Sequence, residues 1–171
     1  MHQVDYMAVA DKVMEQIRKG AFLTVQAGDA LNVMTIGWAS VGFLWGRPMF
    51  TIMVRNSRYT YKIIEKSNEF TISIPMTDMS KQLEFCGTKS GKACDKFKEC
   101  KFEIYPGKKV RTPVLDIAGI HYECKIVYKS AMDPVALVDS YKNLYPKKDY
   151  HTFYYGEIAN CYSTVDENAQ A

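Results

Sequence analysis

Between Phe22 and Val54 three runs rich in β-branched and aromatic residues, FLTVQA, VMTIGWA and PMFTIMV, follow one another, separated only by the turn-rich stretches AGDALN and FLWGRP. Connections of that length are the ones expected between antiparallel strands, so the segment reads as a meander. FTISIP, GIHYECKIVYKS and YHTFYYGEIANCYS continue the pattern as further strands. Helical signals are few. Met7, Ala10, Val13, Met14 and Ile17 recur at helical spacing and end at Gly20 after Arg18 and Lys19. A second helix is expected from a Ser57 cap through Tyr61 and Ile64 to about Ser67 and Asn68, and a third over about Ser80 to Phe85 before Gly87. TKSGKACDKF reads as a loop leading through a helical turn into KFEIYP, and PVALVDSYKNLYP as helical. Short strands separated by turns, with few helices, predict a mainly β chain: an antiparallel β-barrel with peripheral helices.

The 171 residues, 47% hydrophobic and 24% charged, suit one soluble domain, with no linker or repeat and a polar tail over residues 164–171. Twenty-two basic residues offset by 19 acidic ones are too balanced and too dispersed for a nucleic-acid partner. No apolar run has the length of a membrane span, and Asp5, Asp11 and Glu15 stand where a signal peptide would be apolar, which predicts a cytoplasmic protein. Five cysteines, at 86, 94, 100, 124 and 161, lack CxxC spacing, and His2, His121 and His151 are far apart. Reduced, mostly buried thiols and no metal site are expected.

Three segments carry candidate chemistry. A Ser57 cap would leave the N–H groups of Tyr59 and Thr60 as donors beside Arg55 and Arg58, a place for a phosphate; a capped helix with two solvated arginines accounts for the same residues. Lys89, Ser90, Gly91, Lys92 and Lys96 offer a second basic wall, although the spacing is not that of a P-loop and a solvated lysine loop accounts for the same residues. Along NVMTIGWA, Met34, Ile36 and Trp38 alternate with the small face Thr35, Gly37 and Ala39, which suits either a flat ring or a closely packed helix.

Taken in order, NVMTIGWAS, RPMFTIMVRNSRYT, NEFTISIP and CGTKSGKACDKF resemble the flavin reductase-like family of FMN-binding split barrels, and within it the flavoredoxin branch. The likeness runs from about Phe22 to Tyr162. It implies a six-stranded antiparallel Greek-key barrel, a homodimer, and one FMN per subunit near the dimer interface. On matching positions, Asn32, Met34, Thr35, Trp38 and Ala39 would line the isoalloxazine, and Arg55, Ser57 and Thr60 would hold the phosphate. Ser90, Gly91 and Lys96 would close over the ribityl and phosphate end, with Cys86 and Gly87 at the entrance of that loop. Tyr59 stands where many reductases of the family carry His, and would stack or hydrogen-bond instead.

The resemblance implies an oxidoreductase passing electrons from NADH or NADPH through FMN to a flavin, a ferric complex or a small redox protein. The alternative is a non-enzymatic FMN electron carrier reduced by a partner protein. No catalytic side chain is required for hydride transfer to a flavin, so none is assigned. His151 reads as structural, and His121, sharing a strand face with Glu123 and Lys125, as solvated. Aromatic residues make up 13% of the chain, and Tyr150, Phe153, Tyr154 and Tyr155 suggest a subunit interface.

Overall fold

Each of the β-branched runs forms a strand, and two-residue links turn neighbouring runs into hairpins. The computed structural model describes residues 1–165; of the polar tail, residues 166–171 lie outside the described part. The element order is β1 (His2–Gln3), α1 (Ala10–Ile17), β2 (Ala21–Ala27), β3 (Ala30–Ile36), β4 (Ala39–Leu44), β5 (Arg47–Arg55), α2 (Tyr59–Ile64) and β6 (Glu69–Pro75). Then come α3 (Ser80–Thr88), α4 (Lys96–Glu99), β7 (Ile104–Tyr105), β8 (Val114–Leu115), β9 (Gly119–Ala131), α5 (Asp139–Lys142) and β10 (His151–Ser163).

The main sheet runs β3-β2-β6-β9-β10-β5-β4, antiparallel throughout, with β1 paired to the far end of β10. Laid flat, seven strands would put β3 and β4 roughly 29 Å apart. Only Gly37 and Trp38 join them, a link that reaches about 10 Å. The sheet therefore curls on itself. It closes at that link and stays unpaired along the rest of the β3 and β4 edges, which makes a split barrel. Its interior is filled by fully buried Phe50, Ile52, Phe70, Ile72, Tyr122 and Tyr154, with the Phe50 and Tyr122 rings edge to face at 4.9 Å. Burying a side chain of this size contributes about 1.5–3 kcal/mol. A second cluster, Phe22, Val33, Leu83, Cys86, Leu115 and Ile117, packs α3 and the segment around β8 on the outer face of the β2–β3 hairpin.

The expected class, a mainly antiparallel β-barrel with peripheral helices, is the one observed, with one more strand than the expected six in the main path. The reason is local. VMTIGWA stops being a strand at Ile36, and the stretch expected as the turn FLWGRP shrinks to Trp45 and Gly46. Both have positive φ, 51° and 69°, the geometry of a two-residue hairpin turn that follows strand twist. Residues 39–44 are thereby freed for β4.

Other expectations are corrected. α1 begins at Ala10 rather than Met7. Only Asp139–Lys142 of PVALVDSYKNLYP is helical, because Val135, Val138 and Tyr141 are exposed and give a longer helix no apolar face to bury. His121 is fully buried, not solvated. Residues 103–118 fold across the outer face of β9, so His121 meets Ser73 Oγ at 3.1 Å and the Ile117 carbonyl at 3.2 Å. Beside it the buried Glu123 carboxylate accepts the backbone N–H groups of Lys109 and Val110 and the Asn160 side-chain amide.

Candidate functional site

The split between β3 and β5 opens a groove, and the strand ends position its residues. One part, about 200 Å³, is walled by Met34–Trp38 on one side and by Met53, Arg55, Arg58 and His151 on the other. It continues past Met34 and Arg58 into a narrower part of about 80 Å³, between Asn32, Ser57–Thr60 and the 88–91 loop, where Lys96 and Cys86 lie. A larger hollow of about 790 Å³ between α1 and α3 is lined by surface groups such as Lys12, Glu15 and Glu84. Volume does not make it a site, since it gathers no convergent buried polar groups.

β3 has a paired edge, toward β2, and an open edge, toward the groove. In an antiparallel ladder every second residue of an edge strand turns its N–H and C=O outward. Val33 sets the phase, because its carbonyl accepts Lys96 Nζ at 3.0 Å. Thr35 is therefore also turned outward, presenting main-chain donor and acceptor to the wide part of the groove. Its side chain packs the other way, with Oγ1 donating to the Leu83 carbonyl of α3 at 2.6 Å, and a Cβ on Gly87 would touch it at 3.4 Å. The small face of this strand is thus a helix-packing face at Thr35 and a groove wall at Gly37. Ala39 faces a neighbouring depression with Met14, Ile17 and Phe153 instead of the groove.

The narrow part is cationic. Lys96 is 3% exposed, and its ammonium group donates to the carbonyls of Val33 and of Cys86, the latter at 2.8 Å. Burial lowers its pKa, an effect the nearby Cys86 thiol partly offsets. Among the described residues no carboxylate pairs with it. A buried ammonium held only by carbonyl dipoles is costly unless an anion joins it. Arg58 adds a second charge, with Nη2 on the Gly87 carbonyl at 2.7 Å, which leaves Gly87 behind the wall instead of on it. Asn32 Nδ2 donates to Thr60 Oγ1 at 2.7 Å at the base, and Gly91 sits so close over Asn32 that any Cβ there would run into its amide.

The expected Arg55, Ser57 and Thr60 all border the groove, but Arg55 lies along its wide part and both Arg55 and Ser57 are engaged elsewhere. Arg55 Nη1 pairs with Asp149 Oδ1 at 2.8 Å, and Ser57 Oγ donates to Asp149 Oδ2 at 3.0 Å. Burial works against the Asp149 charge, but the Ser57 hydroxyl and Arg55 outweigh it and hold the carboxyl below its usual pKa. Ser57 caps nothing. The N-cap of α2 is Arg58, which makes no side-chain cap hydrogen bond, and the helix ends at Ile64. The segment that supplies Asp149 was not foreseen as part of the site. From it Tyr145 stacks beneath Arg55, 4.7 Å from ring centre to guanidinium, and meets His151 Nδ1 through its hydroxyl at 2.8 Å. His151 in turn faces the Trp38 ring at 5.1 Å. Burial and the neighbouring Arg55 push its pKa down to about 4, so it stands neutral at pH 7.

Met53 and His151 therefore join the foreseen Asn32, Met34, Thr35, Trp38, Arg55, Ser57, Arg58, Tyr59, Thr60, Ser90, Gly91 and Lys96 around one groove. Arg58, in SRYT, is among the residues the sequence places beside the expected cap. No such signal marked Met53, which reaches the groove only through sheet curvature.

The family model described as the flavin reductase like domain matches residues 17–171. The chain belongs to this family. An uncharacterised protein of Pyrococcus abyssi is 30% identical over 133 residues, 77% of this chain and 65% of the relative, so the chain spans less than two thirds of that protein's length. Among solved structures, flavoredoxin from Methanosarcina acetivorans is 26% identical with a TM-score of 0.65, over 84% of this chain and 67% of that one. Flavoredoxin of Desulfovibrio vulgaris is 25% identical with a TM-score of 0.67, over 87% and 70%. Among the described residues no helix is long and apolar enough to cross a membrane, and no cluster of His, Cys, Asp and Glu is arranged to hold a metal.

Proposed function

We propose that this domain holds one FMN per subunit in the groove and works as an oxidoreductase, taking electrons from NADH or NADPH and passing them to a flavin, a ferric complex or a small redox protein. The observation that carries the reading is the buried, unpaired Lys96 ammonium at one end of a groove whose other end is flat and edged by main-chain groups. A ring bearing a terminal phosphate fits that combination. The ring lies along Met34–Trp38, where Thr35 supplies donor and acceptor and Met53 and Trp38 supply apolar surface. The phosphate lies at the Lys96 and Arg58 end, with Ser57, Tyr59, Thr60, Ser90 and Gly91 around it and Cys86 behind. Arg55, spent on Asp149, flanks the ring instead of the phosphate.

When bound, the flavin supplies the hydride and electron chemistry. The protein's own residues orient and shield. Neutral His151, its Nδ1 occupied by Tyr145, holds the Trp38 side of the groove without adding a charge, and the Arg55–Asp149 pair fastens residues 144–149 beside it. Extraction of the purified protein should yield FMN at about one equivalent per chain; predominant FAD, or a colourless protein that takes up no flavin, would refute the assignment. Stopped-flow reduction by NADH and NADPH then separates the enzyme from a carrier that only a partner protein reduces. The carrier reading is favoured by the likeness to two flavoredoxins.

We also propose a homodimer. Tyr154, expected at an interface, is instead inside the barrel, its hydroxyl on Glu65. Tyr155 lies on the outer face, where Trp45, Tyr128 and Phe43 are 64%, 51% and 65% exposed, and the Trp45, Tyr128 and Tyr155 rings cluster within 6.0 Å of one another. An aromatic patch of this kind suits an interface core. Light scattering of the holoprotein at micromolar concentration should give twice the 19.5 kDa chain mass, and a monomer would overturn the dimer.

A further inference from the structure

Three of the five cysteines stand on or beside the basic wall of the groove. Cys86 lies in α3, Cys100 caps α4, and their sulfurs are 3.8 Å apart. Cys94, between them in sequence, turns its thiol to the Ser90 carbonyl. A disulfide bond is about 2.05 Å long, so closure from the observed 3.8 Å separation needs the sulfurs to approach by about 1.8 Å. Residues 87–99, enclosed by the pair, include the Gly87 carbonyl that holds Arg58, Ser90, Gly91 packed on Asn32, and Lys96. We propose that Cys86 and Cys100 form a reversible dithiol–disulfide pair, oxidised by low-molecular-weight disulfides, and that the bond locks residues 87–99 as a rigid wall of the groove. Bond formation rests on the two thiols alone; its effect on a cofactor rests on the flavin reading above.

The exchange balances as two thiols plus one glutathione disulfide giving one protein disulfide plus two glutathione thiols. Half-buried Cys100 loses its proton and attacks a glutathione sulfur, expelling one glutathione thiolate, which takes up that proton. Cys86 then loses its proton and attacks the Cys100 sulfur, expelling and protonating the second. Burial pushes the Cys86 thiol up to about 12 and raises Cys100 as well, so closure is slow at neutral pH and quickens as the pH rises. Cys124 and Cys161, buried in the sheet, are internal controls.

The test uses the full chain, reduced and then equilibrated with oxidised glutathione under nitrogen, alkylated, digested and mapped by mass spectrometry. A Cys86–Cys100 crosslink, reversed by dithiothreitol, is expected; Cys94→Ser should keep it and Cys100→Ser should lose it. The unsubstituted protein decides the matter even if Cys100→Ser folds poorly. Amide exchange over residues 87–99 should slow at least about tenfold in the oxidised protein. Glutathione retained as a mixed disulfide without a crosslink would overturn the pair, and a crosslink with unchanged exchange would overturn the lock. A crosslink in a protein that holds no flavin would refute the flavin reading and uphold this one.

Discussion

Replacing Lys96 with methionine should weaken FMN binding by roughly 10- to 150-fold and leave riboflavin binding little changed. The range follows from a hydrogen bond to a charged group contributing about 1.5–3 kcal/mol, at about 1.4 kcal/mol per decade of affinity. Methionine keeps the length of the side chain and removes the ammonium. The Val33 and Cys86 carbonyls lose their donor, which costs stability, but the desolvation of a buried charge disappears with it. Riboflavin separates the two effects, since it lacks the phosphate and reports only on the shape of the groove. Fluorescence titration with each flavin makes the measurement. Arg55→Ala is the discriminating companion. The family resemblance places the phosphate on Arg55, whereas the ion pair with Asp149 leaves that charge already used. A large FMN-specific loss in Arg55→Ala, with Lys96→Met silent, would move the phosphate to the Arg55 and Ser57 corner.

Mild acid should destabilise the fold through two histidines that are buried in neutral form. His121 is fully buried and His151 is 8% exposed. Burial lowers each pKa to about 4; for His121 the Ile117 carbonyl and Glu123 pull the other way, and for His151 Arg55 adds to the lowering. The unfolded chain binds its histidine protons near pH 6.5. Between those values the unfolded state holds more protons, so stability is fully present above about pH 6.5 and falls as the pH drops toward 4. At 1.36 kcal/mol per pKa unit the loss approaches about 3 kcal/mol for each histidine, as an order of magnitude. Urea unfolding at about pH 7 and about pH 5 reads more than half of it, at the upper edge of the range where carboxylates begin to contribute. His121→Asn should roughly halve the acid loss, and equal midpoints at the two pH values in the unsubstituted protein would refute the idea.

Much of the architecture was legible because strand periodicity and turn chemistry are local. FTISIP, GIHYECKIVYKS and YHTFYYGEIANCYS fold as read, and Gly20, with a φ of 124°, ends α1 by turning its N–H onto the Gln16 and Ile17 carbonyls. The misreadings share a cause. His121 alternates with Glu123 and Lys125 in the pattern of a wet face, yet residues 103–118, the loop-rich stretch that leads into the strand, fold back and cover that face. Ser57 has the chemistry of a cap, but Asp149, 92 residues later, takes its hydroxyl. Lys96 sits in what reads as a solvated lysine run, and only the meeting of α3, α4 and β3 buries it. Local pattern specifies the elements; which polar group ends up dry depends on what arrives from elsewhere in the chain.

The Gly37–Trp38 link gives the groove a mechanical character of its own. With two residues stitching the seam and the rest of both edges unpaired, the barrel resembles a clasp hinged at one end, and its jaws are β3 on one side and the end of β5 on the other. Whatever fills the space between them touches both jaws at once. Filling the groove and holding the barrel shut are then one event, so occupancy adds directly to the resistance of the fold to unfolding, by about 4 kcal/mol at a thousandfold excess of ligand over its dissociation constant.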